Sequence, residues 1–341
     1  MRIAVMIILT LYLLLNSMPG IAGEAMHTVY PREFNGRLIN PGNGWSAYGN
    51  VQQHPEKLLE WVNMGVRRFH WADLEPREGE YNWEPLETFL SGWADQGKVC
   101  NIGVVCLSSH SSKTFVTPRW VFEAGADYRM VDLSELPHRY AGRPGKKAVP
   151  VFDDPVFLKK LNQFLQNFAK RYDGDPRIEL LDIRSYGNWG EGHMWPFGEI
   201  DIAVETYKQH VMMHVNAFKR TQLCIPRNAD LGEYGPFKEV REWAIRTYDI
   251  APRRDGICGN SNGLETAMAF GIAPAVFELY GDYDFLKQQG WWFGKKDENG
   301  LGFELEDCVE NGKPTWVDQR AAVFRGHRNP PASFWPVRAA P

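Results

Sequence analysis

The sequence predicts an α/β protein of the (β/α)8 TIM-barrel class, with an incomplete eighth helix. Three observations carry that prediction. Short apolar runs alternate with helix-like stretches along the chain, the pattern of a parallel sheet with helical crossovers. No G-x-G-x-x-G follows the first strand, which argues against a doubly wound dinucleotide-binding sheet. With the first 25 residues set aside, about 315 of the 341 remain. That length suits a barrel of typically about 250 residues with loop insertions.

In chain order, Arg2 precedes the run Ile3–Leu15, apolar except for Thr10, and small residues follow at Gly20, Ala22, Gly23 and Ala25. Thirteen residues are too few to span a bilayer comfortably, so residues 1–25 read as an export signal and the mature chain as secreted or periplasmic, with no membrane association after cleavage. The alternative is a retained N-terminal anchor. The first strand lies near "LINPGNGW", and further strands at 66–71, 98–106, 178–185, 222–227, 255–259, 274–280 and 314–318. Helices are expected over "PEKLLEWVNMG" (55–65), where proline opens and glycine closes the pattern, and over 153–174, where Asp precedes Pro and apolar residues recur at helical spacing. Residues 200–218 and 235–248 read the same way. The longest insertion, 107–152, falls between the third strand and its helix, on the face where barrels keep their sites. The barrel domain is expected to span 26–318, and 319–341, rich in proline and arginine with only "QRAAVFR" as a short helix, to form an irregular tail.

Composition narrows the partners. A net charge of -4 without a basic stripe argues against nucleic acid, and "HRYAGRPGKK" at 138–147 reads as a solvated loop. The five cysteines show no C-x-x-C spacing, and Cys100 and Cys106 are too far apart along one strand to bond. Cys224 with Cys258 is the one pairing to test. No metal and no cofactor are expected.

Barrel sites gather just past the strand ends. Two carboxylates stand out there: Glu191, in the glycine-rich "RSYGNWGEGH" after the fourth strand, and Glu278, inside "PAVFELYG" in the seventh. They are 87 residues apart, the length of three βα units, so they can share one rim. Glycosidic cleavage needs such a pair, one protonated to assist the departing oxygen and one ionised. Substrate contacts are expected from Trp45, His70, Trp71, Asn188, Trp189, His193, Arg227, Asn260, Tyr280 and Trp316, since flat rings and polar groups suit sugars. The bland readings are a surface glutamate for Glu191 and a buried ion pair with Arg184 or Arg227 for Glu278. His70 is equally a core histidine, Trp120 equally a packing residue, and Glu75 a structural partner of Arg67 or Arg68. Glu191 and His193 with His70 or His110 could instead hold a metal, although no compact ligand motif supports it.

"FHWADLEPREGEYNWEPLETFL" (69–90), "NPGNGW" (40–45) and "YGNWGEGH" resemble clan A glycoside hydrolases, above all secreted bacterial β-galactosidase-like barrels. The resemblance extends over about 36–318. It implies a retaining glycoside hydrolase of oligo- or polysaccharides, with Glu191 as acid/base and Glu278 as nucleophile. An ionised Glu278 nearby is expected to raise the pKa of Glu191. The pattern departs at one point: many clan members place Asn directly before the acid, whereas Asn188 lies three positions earlier. The alternatives are a carbohydrate-binding barrel without turnover and a metal-dependent barrel enzyme.

Overall fold

A computed structural model describes residues 44–136, 142–198, 204–228, 237–257, 274–279, 309–310, 313–314 and 321–324. All lie within one compact unit, Ile39–Pro341. The expected export signal lies outside the described residues. Among the described residues no helix is long and apolar enough to cross a membrane.

Eight strands close a barrel: β1 (Gly44–Tyr48), β2 (Val62–His70), β3 (Val99–Val105), β6 (Ile178–Asp182), β7 (Gln222–Asn228), β8 (Ala251–Ile257), β9 (Ala275–Leu279) and β12 (Ala321–Phe324). From β1 to β9 each neighbouring pair runs parallel. The insertion after β3 carries the hairpin β4 (Tyr128–Asp132) and β5 (Lys146–Pro150), and β10 (Val309–Glu310) pairs with β11 (Lys313–Pro314). The helices are α1 (Glu56–Leu59), α2 (Trp71–Leu74), α3 (Glu84–Ala94), α4 (Arg119–Glu123), α5 (Pro155–Tyr172), α6 (Val204–Ala217) and α7 (Phe237–Tyr248).

Two expected elements differ. The helix expected over 55–65 stops at Leu59, because "VNMG" enters β2, where Val62 and Met64 are buried. Ala321–Phe324 closes the barrel, pairing antiparallel with both β9 and β1, whereas Pro314, the expected start of the last strand, pairs with Val309 in β10, and 315–318 lie outside the described residues. Four apolar residues between charges are too short a run for periodicity to separate helix from strand. The need to pair the two open edges, β1 and β9, decides it.

The helices pack where their sequences direct. Asp154 caps α5, its carboxylate accepting from the Val156 and Phe157 amides at 2.8 Å each, an arrangement that contributes about 1 kcal/mol. The α5 face of Phe157, Leu161, Phe164, Leu165 and Phe168 is buried. Against it lie Trp71, 5.5 Å from Phe164, and Trp83, stacked 5.6 Å from Phe168. Inside the barrel, Met64, Val66, Leu180, Cys224, Ala251 and Val276 form an apolar floor, and the same strands continue upward into charge.

Candidate active site

One step above the floor, strand alternation brings Asp182 of β6, Arg253 of β8 and Arg68 of β2 inward. Arg253 Nη2 lies 2.8 Å and Arg184 Nε 3.1 Å from Asp182 Oδ2. Arg184 Nη1 then reaches Glu191 Oε1 at 3.1 Å, and Arg68 Nη1 reaches the same oxygen at 2.9 Å. His193 Nε2 is 3.4 Å from Glu191 Oε2. Gly103 makes room, since a Cβ there would stand 2.7 Å from Arg184 Cγ. Burial alone would raise both carboxyls. For Asp182, Arg253 and Arg184 outweigh burial and hold it below its ordinary value. For Glu191, Arg68, the His193 hydrogen bond and Arg184 together hold it well below the usual carboxylate range. This is opposite in direction to the expected upward shift, because among the described residues the charges nearest Glu191 are guanidinium groups.

The loop after β6 delivers Glu191 through left-handed backbone. Gly187, Gly190 and Trp189 sit at φ of 79°, 69° and 55°. A Cβ on Gly190 would fall 2.2 Å from the Arg184 carbonyl oxygen. Asn188 pins the bend: its Oδ1 accepts from the Ser109 amide at 2.9 Å, while its Nδ2 donates to Ser109 Oγ at 3.2 Å and the Trp195 carbonyl at 2.7 Å. Both amide hydrogens are thereby used, so Asn188 holds two loops together and is not a sugar contact. The bend turns Glu191 into the barrel, where it is only 7% exposed, which removes the surface-loop reading.

Beside this network opens a cleft of about 370 Å³, lined among others by Tyr48, Arg68, His70, His110, Trp189 and Arg253. Trp189 stands over it, 4.7 Å from the His110 ring and edge-on to His193 at 5.4 Å. His70 Nδ1 is 3.3 Å from Asp73 Oδ2. Despite partial burial, Asp73 is lowered to about 2 by His70 and Lys113. A wider hollow of about 810 Å³ at the turn between β1 and α1 shares Tyr48 and Arg68 with this cleft.

Of the expected contacts, the structure brings His70 and Trp189 to the cleft, with His193 behind them on Glu191. Trp45 is half-buried in β1, and Tyr48 reaches the mouth instead. Trp71 is fully buried, its indole donating to Glu75 Oε2 at 2.8 Å, so it is core. Glu75 is structural, as expected, but Trp71 and the Gly79 amide hold it, not Arg67 or Arg68. Trp120 packs edge-on against Trp71 and donates to the Glu75 carbonyl. Cys224 is a free, buried thiol, and Cys258, the partner to test, lies outside the described residues. Arg227 lies in β7, one residue before its end at Asn228. Glu278 lies in β9, two residues beyond Val276 of the barrel floor, and Asn260, Tyr280 and Trp316 lie outside the described residues. Sequence reading missed Arg68, Asp182 and Arg253. A charged residue at an inward position of an otherwise apolar barrel strand was the available signal. Among the described residues no cluster of three or more His, Cys, Asp or Glu is placed to hold a metal, and two guanidinium groups beside Glu191 oppose a cation there.

The beta-galactosidase family model matches residues 47–188, ending three residues before Glu191. The beta-galactosidase BgaB of Geobacillus sp. (strain Y412MC61) is 21% identical over 148 residues, 40% of this chain and 20% of that protein. The beta-galactosidase LacZ of Lactobacillus acidophilus is 24% identical over 135 residues, 39% of this chain and 18% of that one. The match thus spans about a fifth of the length of these relatives. Among solved structures, xylanase XynB from Paenibacillus barcinonensis is 14% identical with a TM-score of 0.44, covering 72% of this chain and 67% of that one. The beta-galactosidase from Marinomonas ef1 is 14% identical with a TM-score of 0.37, covering 62% and 40%. Over residues 47–188 the chain is similar in sequence to the β-galactosidase family of glycoside hydrolases.

Proposed function

We propose that the chain is a glycoside hydrolase that retains anomeric configuration, with Glu278 as nucleophile and Glu191 as acid, then base. The observation that carries this reading is a buried carboxylate, Glu191, turned by a strained glycine-rich bend into the mouth of a barrel beside a cleft roofed by Trp189. The matching stretch of β-galactosidases leads up to it, and Glu278 belongs to β9, a strand of the same closed barrel. In the first step the Glu278 carboxylate attacks the anomeric carbon while Glu191 gives its proton to the departing glycosidic oxygen. In the second, Glu191 takes a proton from water, which attacks the same carbon and frees Glu278.

Glu191 must first be protonated, and its cations resist this. Arg184 is fully buried, whereas the Arg68 side chain is 20% exposed and lines the cleft. A sugar entering the cleft engages Arg68, weakens its hold on Glu191 and so lets the carboxyl take up a proton. The family match makes β-galactosides the first substrates to try, and the apolar run at 3–15 supports a secreted or periplasmic site of action. The test is a panel of chromogenic glycosides with the purified protein, product anomers followed by NMR. Retention is expected. Glu278→Gln abolishes turnover, and Glu191→Gln spares substrates whose leaving group needs no proton. Inverted product, or equal loss on activated and unactivated substrates for Glu191→Gln, overturns the assignment.

A further inference from the structure

We propose that the sugar bound in the cleft is anionic, a glycoside bearing a carboxylate or a sulfate ester, and that Arg143 takes its charge. The inference rests on the cleft being the substrate site of the glycosidase reading.

Three arginines, Arg68, Arg143 and Arg253, stand among the described lining residues, and no Asp or Glu does. Two of them are already matched, Arg68 by Glu191 and Arg253 by Asp182. Arg143 has no carboxylate of the described residues within ion-pair distance, and it comes from a different element, the long insertion after β3. Its backbone is fixed: the Arg143 amide donates to the Ser109 carbonyl at 2.8 Å. The preceding Gly142 sits at φ 142°, where a Cβ would fall 2.4 Å from that same oxygen.

A second cation lies behind it. Lys147 is 2% exposed, and its ammonium donates to the carbonyls of Ser111 and Lys113, not to any carboxylate. Burial, with a smaller push from the neighbouring Arg143, lowers the Lys147 amine below its ordinary value. The hydroxyl-bearing Ser108 and Ser111 and the imidazole of His110 complete a wall rich in donors. Arg143 is exposed to solvent and lines the cleft, so a neutral sugar leaves its charge to water. A carboxylate or sulfate pairs with it, the planar guanidinium suiting either through two parallel hydrogen bonds.

The test is calorimetry on the full chain with glucuronate, galacturonate and galactose 6-sulfate beside glucose and galactose, at low and high salt. At least one acidic sugar is expected to bind about tenfold or more tightly than its neutral parent, with the preference shrinking in salt. The tighter of the uronates and the sulfate identifies the anion. Arg143→Gln is expected to weaken the acidic sugar about tenfold and the neutral one less than about twofold. Equal binding of acidic and neutral sugars, an Arg143→Gln protein that keeps the preference, or no binding by any of the five overturns the inference. Turnover of 4-nitrophenyl galactoside against the matched galacturonide separates the two claims. Fast hydrolysis of the neutral compound alone overturns the anionic substrate and leaves the glycosidase standing. Arg143-dependent binding with no hydrolysis of any glycoside overturns the glycosidase and leaves the ligand class standing.

Discussion

Glu191 and Arg68 meet at 2.9 Å, and that contact sets the pH behaviour of any chemistry at the site. The kcat/KM profile reports groups of the free protein. With Glu191 held well below the usual carboxylate range, the fraction able to donate a proton falls about tenfold per pH unit above its pKa. On substrates with poor leaving groups, kcat/KM should therefore decline steadily from acid to neutral pH. Arg68→Gln removes one cation, raises the Glu191 pKa and should lift kcat at pH 7 while worsening KM. A flat profile in both proteins would remove Glu191 as the acid. Backbone strain at the same bend is testable separately. Gly190→Ala meets the Arg184 carbonyl at 2.2 Å as well as an unfavourable φ, and should cost about 3 kcal/mol or more in urea unfolding. Gly79→Ala, with φ of 75° and nothing within 4 Å, should cost only about 1–2 kcal/mol. Equal losses would mean that the close approach contributes nothing.

Between elements, two short connections decide whether the barrel closes and its loops align. Ala321–Phe324 pairs with β9 on one side and β1 on the other, so its loss would expose two rows of unpaired backbone groups. Truncation after Asp318 should lower the Tm by several degrees and increase self-association, read by calorimetry and light scattering. An unchanged, monomeric product would show that the strand is dispensable. The second connection is Asn188, which joins the loops after β3 and β6 through two hydrogen bonds to Ser109 and braces its own loop through a third to the Trp195 carbonyl. Asn188→Ala leaves the buried Ser109 amide unpaired, an expected cost of about 1–3 kcal/mol.

For the whole molecule, acid is the weak direction. His210 and His214 are buried on α6, and burial lowers them to about 3 and about 4. His210 is held neutral between Ser185 Oγ, 2.8 Å from its Nδ1, and the Phe152 carbonyl, 2.9 Å from its Nε2. Below the unfolded value near 6.5 the unfolded chain binds protons that the folded one refuses. Stability present above about pH 6.5 is therefore lost as pH falls towards 4 and 3, at up to about 1.4 kcal/mol per pH unit for each histidine. Asp182 and Glu191, both lowered, extend the loss below about pH 4. The urea midpoint should drop between pH 7 and pH 5. His210→Gln should flatten that drop, and an unaltered slope would place the proton uptake elsewhere.

The sequence by itself determined the barrel class, the α5 helix with its Asp154 cap, the insertion after β3 and the inward turn of "GNWGEGH", because these rest on local periodicity, capping and glycine chemistry. It also located Glu191, His70 and Trp189 near one rim, since barrel sites follow strand ends. Only the tertiary structure decided that Trp71 belongs to the core, that Asn188 is a clasp, that Ala321–Phe324 closes the barrel, and that Glu191 is held ionised. Each of these depends on partners far away in the chain: Phe164 lies 93 residues from Trp71, Ser109 79 from Asn188, Arg68 123 from Glu191, and β9 more than 40 from Ala321–Phe324. Register across a closed sheet brings such residues together, and a pattern read along the chain carries no distance between them.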